Sequence, residues 1–294
     1  MIDYDASRDA LYSPGLRPAL FAPGSRISDI GVDAVCAELS RLAYLAFEID
    51  DIQRRQLILA LESVGLSGWT GFTAPATGTE AFVTTHHDTG DVFLVFRGTA
   101  PGDIKDLVTD LNVRPIAWAV GGNVHAGFST AFASVREEIE AWLDQHAAHS
   151  TLTLTGHSLG AALATLAMSQ WQARRLITFG CPRVGDARFA ATIAAGASVR
   201  YVGCCDIVCS VPPVGTWYAD AGSMRYIDRH GKVHEALDPS ASSADRSSAR
   251  REYVAKYATR PGNVLVRELA DHAPINYVRA LMRCTVNSRQ LTVE

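Results

Sequence analysis

The sequence predicts an α/β fold, with a mostly parallel central sheet and helices on both faces. Three observations carry the expectation. Short β-prone runs alternate with stretches of helical apolar spacing along most of the chain. Apolar residues make up 48% of 294 residues, enough to bury a sizeable core. A Gly-x-Ser-x-Gly pentapeptide, 156–160, lies directly between an expected strand and an expected helix.

The elements follow in order. Val35, Leu39, Leu42 and Leu45, then Ile52, Leu57, Leu59 and Leu61, mark two helices that end near Gly65. Runs 81–85 and 91–96 are β-rich and separated by Asp88-Thr89-Gly90, a hairpin signature. A helical pattern from Ser129 to His146 feeds the strand Thr151–Thr155, and a small-residue helix runs from Leu159 to about Gln170. Strands at 176–179 and 199–202 flank a helix over 188–195. Segments 224–228 and 232–235 form a hairpin through His230-Gly231. The polar, serine-rich stretch 238–250 reads as a flexible surface loop, and a helix from Pro274 to Met282 precedes a polar tail. We read 1–294 as a single domain, with 1–32 as an amino-terminal extension.

Charge and targeting narrow the function class. With 27 Lys+Arg against 31 Asp+Glu and nine His, the chain offers no attraction for polyanions, so a nucleic-acid role is not expected. No window approaches the ~18 uninterrupted apolar residues of a membrane span. The first residues lack the basic and apolar regions of a Sec signal. The six cysteines contain no Cys-x-x-Cys pair and read as reduced thiols, which together with the missing signal gives a cytoplasmic expectation, with export by a leaderless route left open. Cys204, Cys205 and Cys209 are thiols at a strand end and read as small buried groups, so neither metal nor organic cofactor is expected.

The pentapeptide carries the chemistry. A tight strand-to-helix turn lifts the Ser158 hydroxyl out of the sheet, and flanking glycines remove Cβ atoms that would clash. The N–H of Leu159, at a helix start, then points at a developing oxyanion. The bland alternative is a glycine-flanked helix cap. A serine needs a base, and this architecture orders the residues Ser, Asp/Glu, His. Downstream of Ser158 lie only His230, His234 and His272. The first two fall in or beside a hairpin turn, whereas His272 sits in the loop opening the last helix and is the expected base. Asp206, emerging at the carboxyl end of a strand on the Ser158 edge, is the expected acid. Asp186, Asp220, Asp228 and Asp271 compete.

At this point several segments together resemble the class 3 lipase family, the fungal-lipase-like branch of the α/β-hydrolases. They are Phe96-Arg97-Gly98-Thr99, Asp110-Leu111, Val124–Phe128, the pentapeptide, Thr178–Gly185, Asp206-Ile207-Val208 with Val211-Pro212-Pro213, and Asp271-His272 with Tyr277. The resemblance implies a Ser158, Asp206, His272 triad and an oxyanion hole made by the N–H groups of Thr99 and Leu159. Arg97 is assigned to structure, bonded to Asp110, and His125 to packing or hydrogen bonding. The implied activity is hydrolysis of a small-molecule or lipid carboxylic ester through an acyl-enzyme, with at most transient contact with a lipid surface. Segment 100–107, where secreted members carry an apolar lid with an aromatic residue, is mostly polar here, which leans towards soluble, short- or medium-chain esters. Two alternatives stand: a catalytically silent, lipase-like binding scaffold, and an acyltransferase or amidase built on the same triad.

Overall fold

A computed structural model describes residues 4–22, 24–99, 114–213 and 217–290. The segments 100–107 and Asp110-Leu111 therefore lie outside the described residues. One eight-stranded sheet organises the rest. Its strands in chain order are β1 (Leu66–Ala74), β2 (Thr79–His86), β3 (Val92–Phe96), β6 (Leu152–His157), β7 (Arg175–Phe179), β8 (Ser198–Gly203), β9 (Ser223–Ile227) and β10 (Val233–His234), and that is also their spatial order. The small hairpin β4 (Pro115–Ala117) and β5 (Asn123–His125) stands apart. Strands β3, β6, β7, β8 and β9 are parallel, with Leu94, Leu154 and Leu176 in register, while β1, β2 and β10 extend the two edges antiparallel.

Helices cover both faces, as parallel strands require. Strand residues of opposite parity enter different cores. Phe93 and Val95 pack with α3 (Val32–Leu42), α4 (Asp51–Glu62) and the last helix, α10 (Pro274–Gln290). Val92, Leu94, Phe96 and Leu154 pack with α5 (Ala126–His146) and α6 (Leu159–Gln170). Each such apolar side chain contributes about 2 kcal/mol through burial. Helix α6 is apolar nearly all round and buried from Gly160 to Ala167, as a helix pressed against a sheet must be. Two short helices precede α3, namely α1 (Arg8–Tyr12) and α2 (Ile27–Ile30), and a third, α9 (Arg267–Ala270), precedes α10. Residues 4–11, part of the expected amino-terminal extension, pack against Tyr253, Val264 and Ala270.

The expected helices at 33–63, the hairpin at 81–96 and the strands at 151–155, 176–179 and 199–202 all form. Three expectations are corrected, and one strand was not foreseen. The serine-rich stretch 238–250 is not a loop but the start of helix α8 (Pro239–Tyr253). Asp238 caps it by accepting from the Ser240 N–H at 2.8 Å, and Pro239 occupies the first turn, where its missing N–H costs nothing. Asp245, Ala249 and Tyr253 line its inner face at four-residue spacing, Ser240 and Ser243 are exposed, and Ser242, Ser247 and Ser248 are half-buried. The helix expected over 188–195 is a single turn, α7 (Ala187–Ala190), capped by Asp186. Helix α10 runs on to Gln290 where a polar tail was expected, and β1, unannounced because Gly68 and Gly71 break its pattern, pairs along all of β2.

Two clusters of ionisable side chains fix the frame. Arg41 and Glu38 on α3 are fully buried and paired at 2.6 Å. The Arg41 guanidinium also donates to the carbonyls of Pro14, Arg17 and Pro18, and Glu38 accepts from the Leu20 N–H, so the pair ties segment 14–20 to α3. At the end of β3, Arg97 pairs with Glu80 and, at 3.4 Å, with Glu48. Its expected partner Asp110 lies outside the described residues. Burial pushes the Glu80 carboxyl up to about 8 against the attraction of Arg97, and the Glu48 carboxyl adds to the rise.

Each cluster makes a prediction. Arg41→Ala leaves Glu38 buried without its counter-charge and should cost about 3–5 kcal/mol in denaturant unfolding, and a loss under about 1 kcal/mol would contradict this account. Native Glu80 keeps a proton that an unfolded glutamate, near about 4.3, has already released. The stability tied to that proton is complete below the unfolded value and is lost as pH rises towards 8. Glu80→Gln removes the titration, so its thermal midpoint minus that of the parent should grow from about pH 5 to 8, and a difference independent of pH would refute the assignment.

Candidate active site

The candidate nucleophile sits on a strained turn. Ser158 has φ 59° and ψ −127°, and it is the only non-glycine with positive φ among the described residues. The two flanking glycines explain how the turn closes. A Cβ on Gly156 would lie 2.4 Å from the Gly160 carbonyl carbon, and one on Gly160 would lie 2.1 Å from the Phe96 carbonyl oxygen. The start of α6 thus rests directly on the end of β3, and no side chain larger than hydrogen fits between them. The N–H of Leu159, in the first turn of α6, has no carbonyl one turn back to bond.

Three of the expected residues come together here. His272 Nε2 lies 2.9 Å from Ser158 Oγ. On its other side, His272 Nδ1 lies 3.0 and 2.9 Å from the two oxygens of Asp206. A carboxylate only accepts, so Nδ1 carries the proton, and Nε2 is left to accept from the serine hydroxyl. All three are sealed, with Ser158 1%, His272 0% and Asp206 3% exposed, which strengthens each bond by excluding water. Burial alone would raise the Asp206 carboxyl. The partnership with His272, together with the Tyr277 hydroxyl, outweighs it and holds that carboxyl below the usual range.

The other expected candidates are engaged elsewhere. Asp186 caps α7, Asp220 pairs with Arg183 and Arg200, and Asp228 faces His234 at 2.9 Å. Asp271 accepts from Tyr4, Arg267 and the Cys205 N–H. His125 caps α5 and stacks on Phe128 with ring centroids 4.2 Å apart. Cys204 and Cys205 approach Asp271, but that carboxylate is already committed and no histidine completes a ligand set among the described residues.

A layer of residues around these three was not expected from the sequence. The Tyr277 hydroxyl donates to Asp206 at 2.6 Å and accepts from the Gly203 N–H, and the Val208 N–H donates to the other Asp206 oxygen. His157, inside the pentapeptide itself, spans the gap between Tyr44 and His272. Its Nε2 is 2.8 Å from the His272 carbonyl oxygen, which only accepts, so Nε2 donates and Nδ1 accepts from the Tyr44 hydroxyl at 2.8 Å. Burial, reinforced by the neighbouring His272, drives the His157 pKa well below its ordinary value, so this ring is a neutral strut. A histidine fixed between strand and helix was the one available sequence signal. Two more glycines make room: a Cβ on Gly98 would strike the Tyr44 hydroxyl at 2.0 Å, and one on Gly180 would press on Asp206 and His272 at 3.0 Å.

The Thr99 side-chain oxygen is buried with no hydrogen-bond partner among the described residues, at the position expected to border the oxyanion.

Known proteins resemble this chain in sequence and in fold. A family model, lipase (class 3), matches residues 93–216. The chain is 31% identical over 174 residues to a lipase of Rhizopus niveus, covering 54% of this chain and 44% of that protein. It is 30% identical over 163 residues to secreted mono- and diacylglycerol lipase 1 of Fusarium solani, covering 52% of this chain and 48% of that protein. The chain thus spans about half the length of the curated relatives it matches. Its fold superposes on Rhizomucor miehei triacylglyceride lipase with a TM-score of 0.61 at 24% identity, over 86% of this chain and 97% of that one.

The cytoplasmic expectation is corrected here. The Fusarium solani relative is secreted by name, which points away from the cytoplasm. The thiol argument behind the expectation fails on physical grounds too. Cys36, Cys181, Cys204, Cys205 and Cys209 are free and buried, and thiols sealed in a core stay unpaired whatever the redox state outside. Residues 93–216 are thus similar to the class 3 lipase family, and the fold of the chain is that of the fungal lipases, an α/β-hydrolase fold.

Proposed function

We propose that this protein is a serine carboxylic ester hydrolase, with Ser158 as nucleophile, His272 as general base and Asp206 as its orienting acid. The observation that carries the reading is the unbroken line of bonds from Ser158 Oγ through both ring nitrogens of His272 to Asp206, anchored on a strained elbow. In this mechanism Ser158 Oγ attacks the ester carbonyl as its proton passes to His272 Nε2. The carbonyl oxygen becomes an anion, held by the N–H groups of Leu159 and Thr99, and the unpaired Thr99 hydroxyl supplies a further donor. Collapse breaks the bond to the alcohol, which leaves with the proton from His272. Water then repeats the sequence on the acyl-serine and frees the acid. Asp206 stays ionised, keeps the ring in the required tautomer and stabilises its charged form. No step calls for a metal or an organic cofactor.

We assign the substrate class as soluble or short- to medium-chain acyl esters, on the polar character of segment 100–107. The Fusarium solani relative is named a mono- and diacylglycerol lipase, and partial glycerides with short or medium acyl chains fall within that class.

The test is hydrolysis of p-nitrophenyl esters from acetate to palmitate by the parent, Ser158→Ala and His272→Ala. Both variants should lose about 10⁴-fold in kcat or more while remaining folded, and the parent should prefer the shorter acyl chains. A folded parent that cleaves none of the esters, or a Ser158→Ala variant that matches it, would overturn the catalytic reading. An optimum at palmitate would overturn the chain-length assignment alone.

A further inference from the structure

A sizeable cavity lies away from Ser158. A space of about 580 Å³ opens on the other side of the triad supports, and neither Ser158 nor His272 lines it. That volume suits a small organic ligand. Its walls come from the turn between β9 and β10, from the π-helical turn Val254–Ala258 that follows α8, and from α10. A π turn inside a helical segment is a local irregularity that recurs at functional sites.

The chemistry of the walls is specific. Six basic side chains, Arg229, Lys256, Arg260, Arg267, Arg279 and Arg283, line it with three acidic ones, Asp228, Glu252 and Asp271. Arg229 is paired with Asp245 and Glu252, Arg267 with Asp271 and Arg279 with Asp5, so the surplus charge sits at Lys256 and Arg260, which make no ion pair among the described residues. This local excess of positive charge stands in a chain whose formal net charge is −4. Concave walls of one sign focus their potential on whatever enters. The aromatic part of the wall is equally ordered. Tyr4, Tyr253 and Tyr257 form a cluster with ring centroids 5.4 to 6.3 Å apart. Lys256 and Arg260 lie 5.0 and 5.9 Å from the centre of the Tyr257 ring. Tyr253 is buried, and at half-buried Tyr257 flat apolar surface meets an ammonium and a guanidinium group, the combination that holds an oxyanion carried on a ring.

We propose that this cavity binds a small organic anion, a phosphate or carboxylate group borne on a flat, ring-like body, at a site separate from the ester-cleaving centre. The back wall of the cavity includes Gly203, Asp271 and Tyr277, and Tyr277 also bonds Asp206, so an occupant rests against the scaffold of the triad. Binding itself needs no catalysis, and the proposal stands or falls independently of the ester-hydrolase reading.

Isothermal titration of the whole chain with phenyl phosphate, benzoate, phenol and orthophosphate tests it. Phenyl phosphate, benzoate or both should bind one per chain with a dissociation constant below about 10 mM, and phenol and orthophosphate about tenfold more weakly or not at all. Which of the two ring anions binds more tightly tells phosphate from carboxylate. Lys256 and Arg260 are exposed, so the charge reversal Lys256→Glu with Arg260→Glu should leave the fold intact and weaken the ring anions about tenfold or more. Raising the salt on the unmodified chain from about 0.05 to 0.5 M should weaken the same binding. No saturable binding of either ring anion, phenol binding as tightly as phenyl phosphate, or affinity unchanged by both charge reversal and salt would overturn the proposal.

Discussion

Helix α6 starts against the end of β3 with no side chain between them, and the geometry of the site depends on that contact. Gly160 meets the carbonyl of Phe96, Gly156 meets the backbone of Gly160, and the residue between them is driven to a φ of 59°. For a non-glycine that backbone costs about 1–3 kcal/mol, and it survives because the surroundings leave no alternative. Strand β6 is buried along its whole length, α6 is buried along most of its own, and both are pinned by parallel pairing with β3 and β7. The strain is local, and the two cores around it supply the restraint. Its product is a hydroxyl raised clear of the sheet at a helix N-terminus, which is a poor place for a buried serine unless something accepts its proton.

What accepts it is brought from far along the chain. His272 arrives on the loop before α10 and is held from two directions. Asp206 grips the ring, and His157 grips the backbone through the His272 carbonyl. Each grip has its own support, Tyr277 and the Val208 N–H for the acid and Tyr44 for His157. The two adjacent histidine rings, with centroids 4.5 Å apart, divide their work by environment. His157 has both nitrogens committed to fixed partners and is kept neutral by burial, so it cannot compete as a base, whereas His272 leaves one nitrogen facing a hydroxyl. Preorganisation of this kind leaves little rearrangement for the reaction to perform.

Much of this was legible in the sequence because it was local. Strand periodicity placed β2, β3, β6, β7 and β8, and the pentapeptide between a strand and a helix singled out Ser158. Counting the histidines that follow it singled out His272, and position at a strand end singled out Asp206. What escaped was either masked by composition or non-local. The serines of α8 hid an inward stripe of Asp245, Ala249 and Tyr253 behind an Asp-Pro start that does read as a helix opening. Glycines within β1 hid an edge strand. The bond from Tyr44 to His157 crosses 113 positions, and that from Arg97 to Glu48 crosses 49, and no spacing rule reaches either pair. The location was misread because two signals were taken to report the compartment, the first residues and the unpaired cysteines, and the cysteines report only burial.

The most direct test of the central claim, that the elbow and its histidine make Ser158 uniquely nucleophilic, is reaction with an alkyl fluorophosphonate followed by mass spectrometry of the digested chain. A single adduct per chain, on the peptide that carries Ser158, and strongly slowed labelling in His272→Ala are the predicted results. An unlabelled folded protein, an adduct on another residue, or labelling at the same rate without His272 would contradict the account.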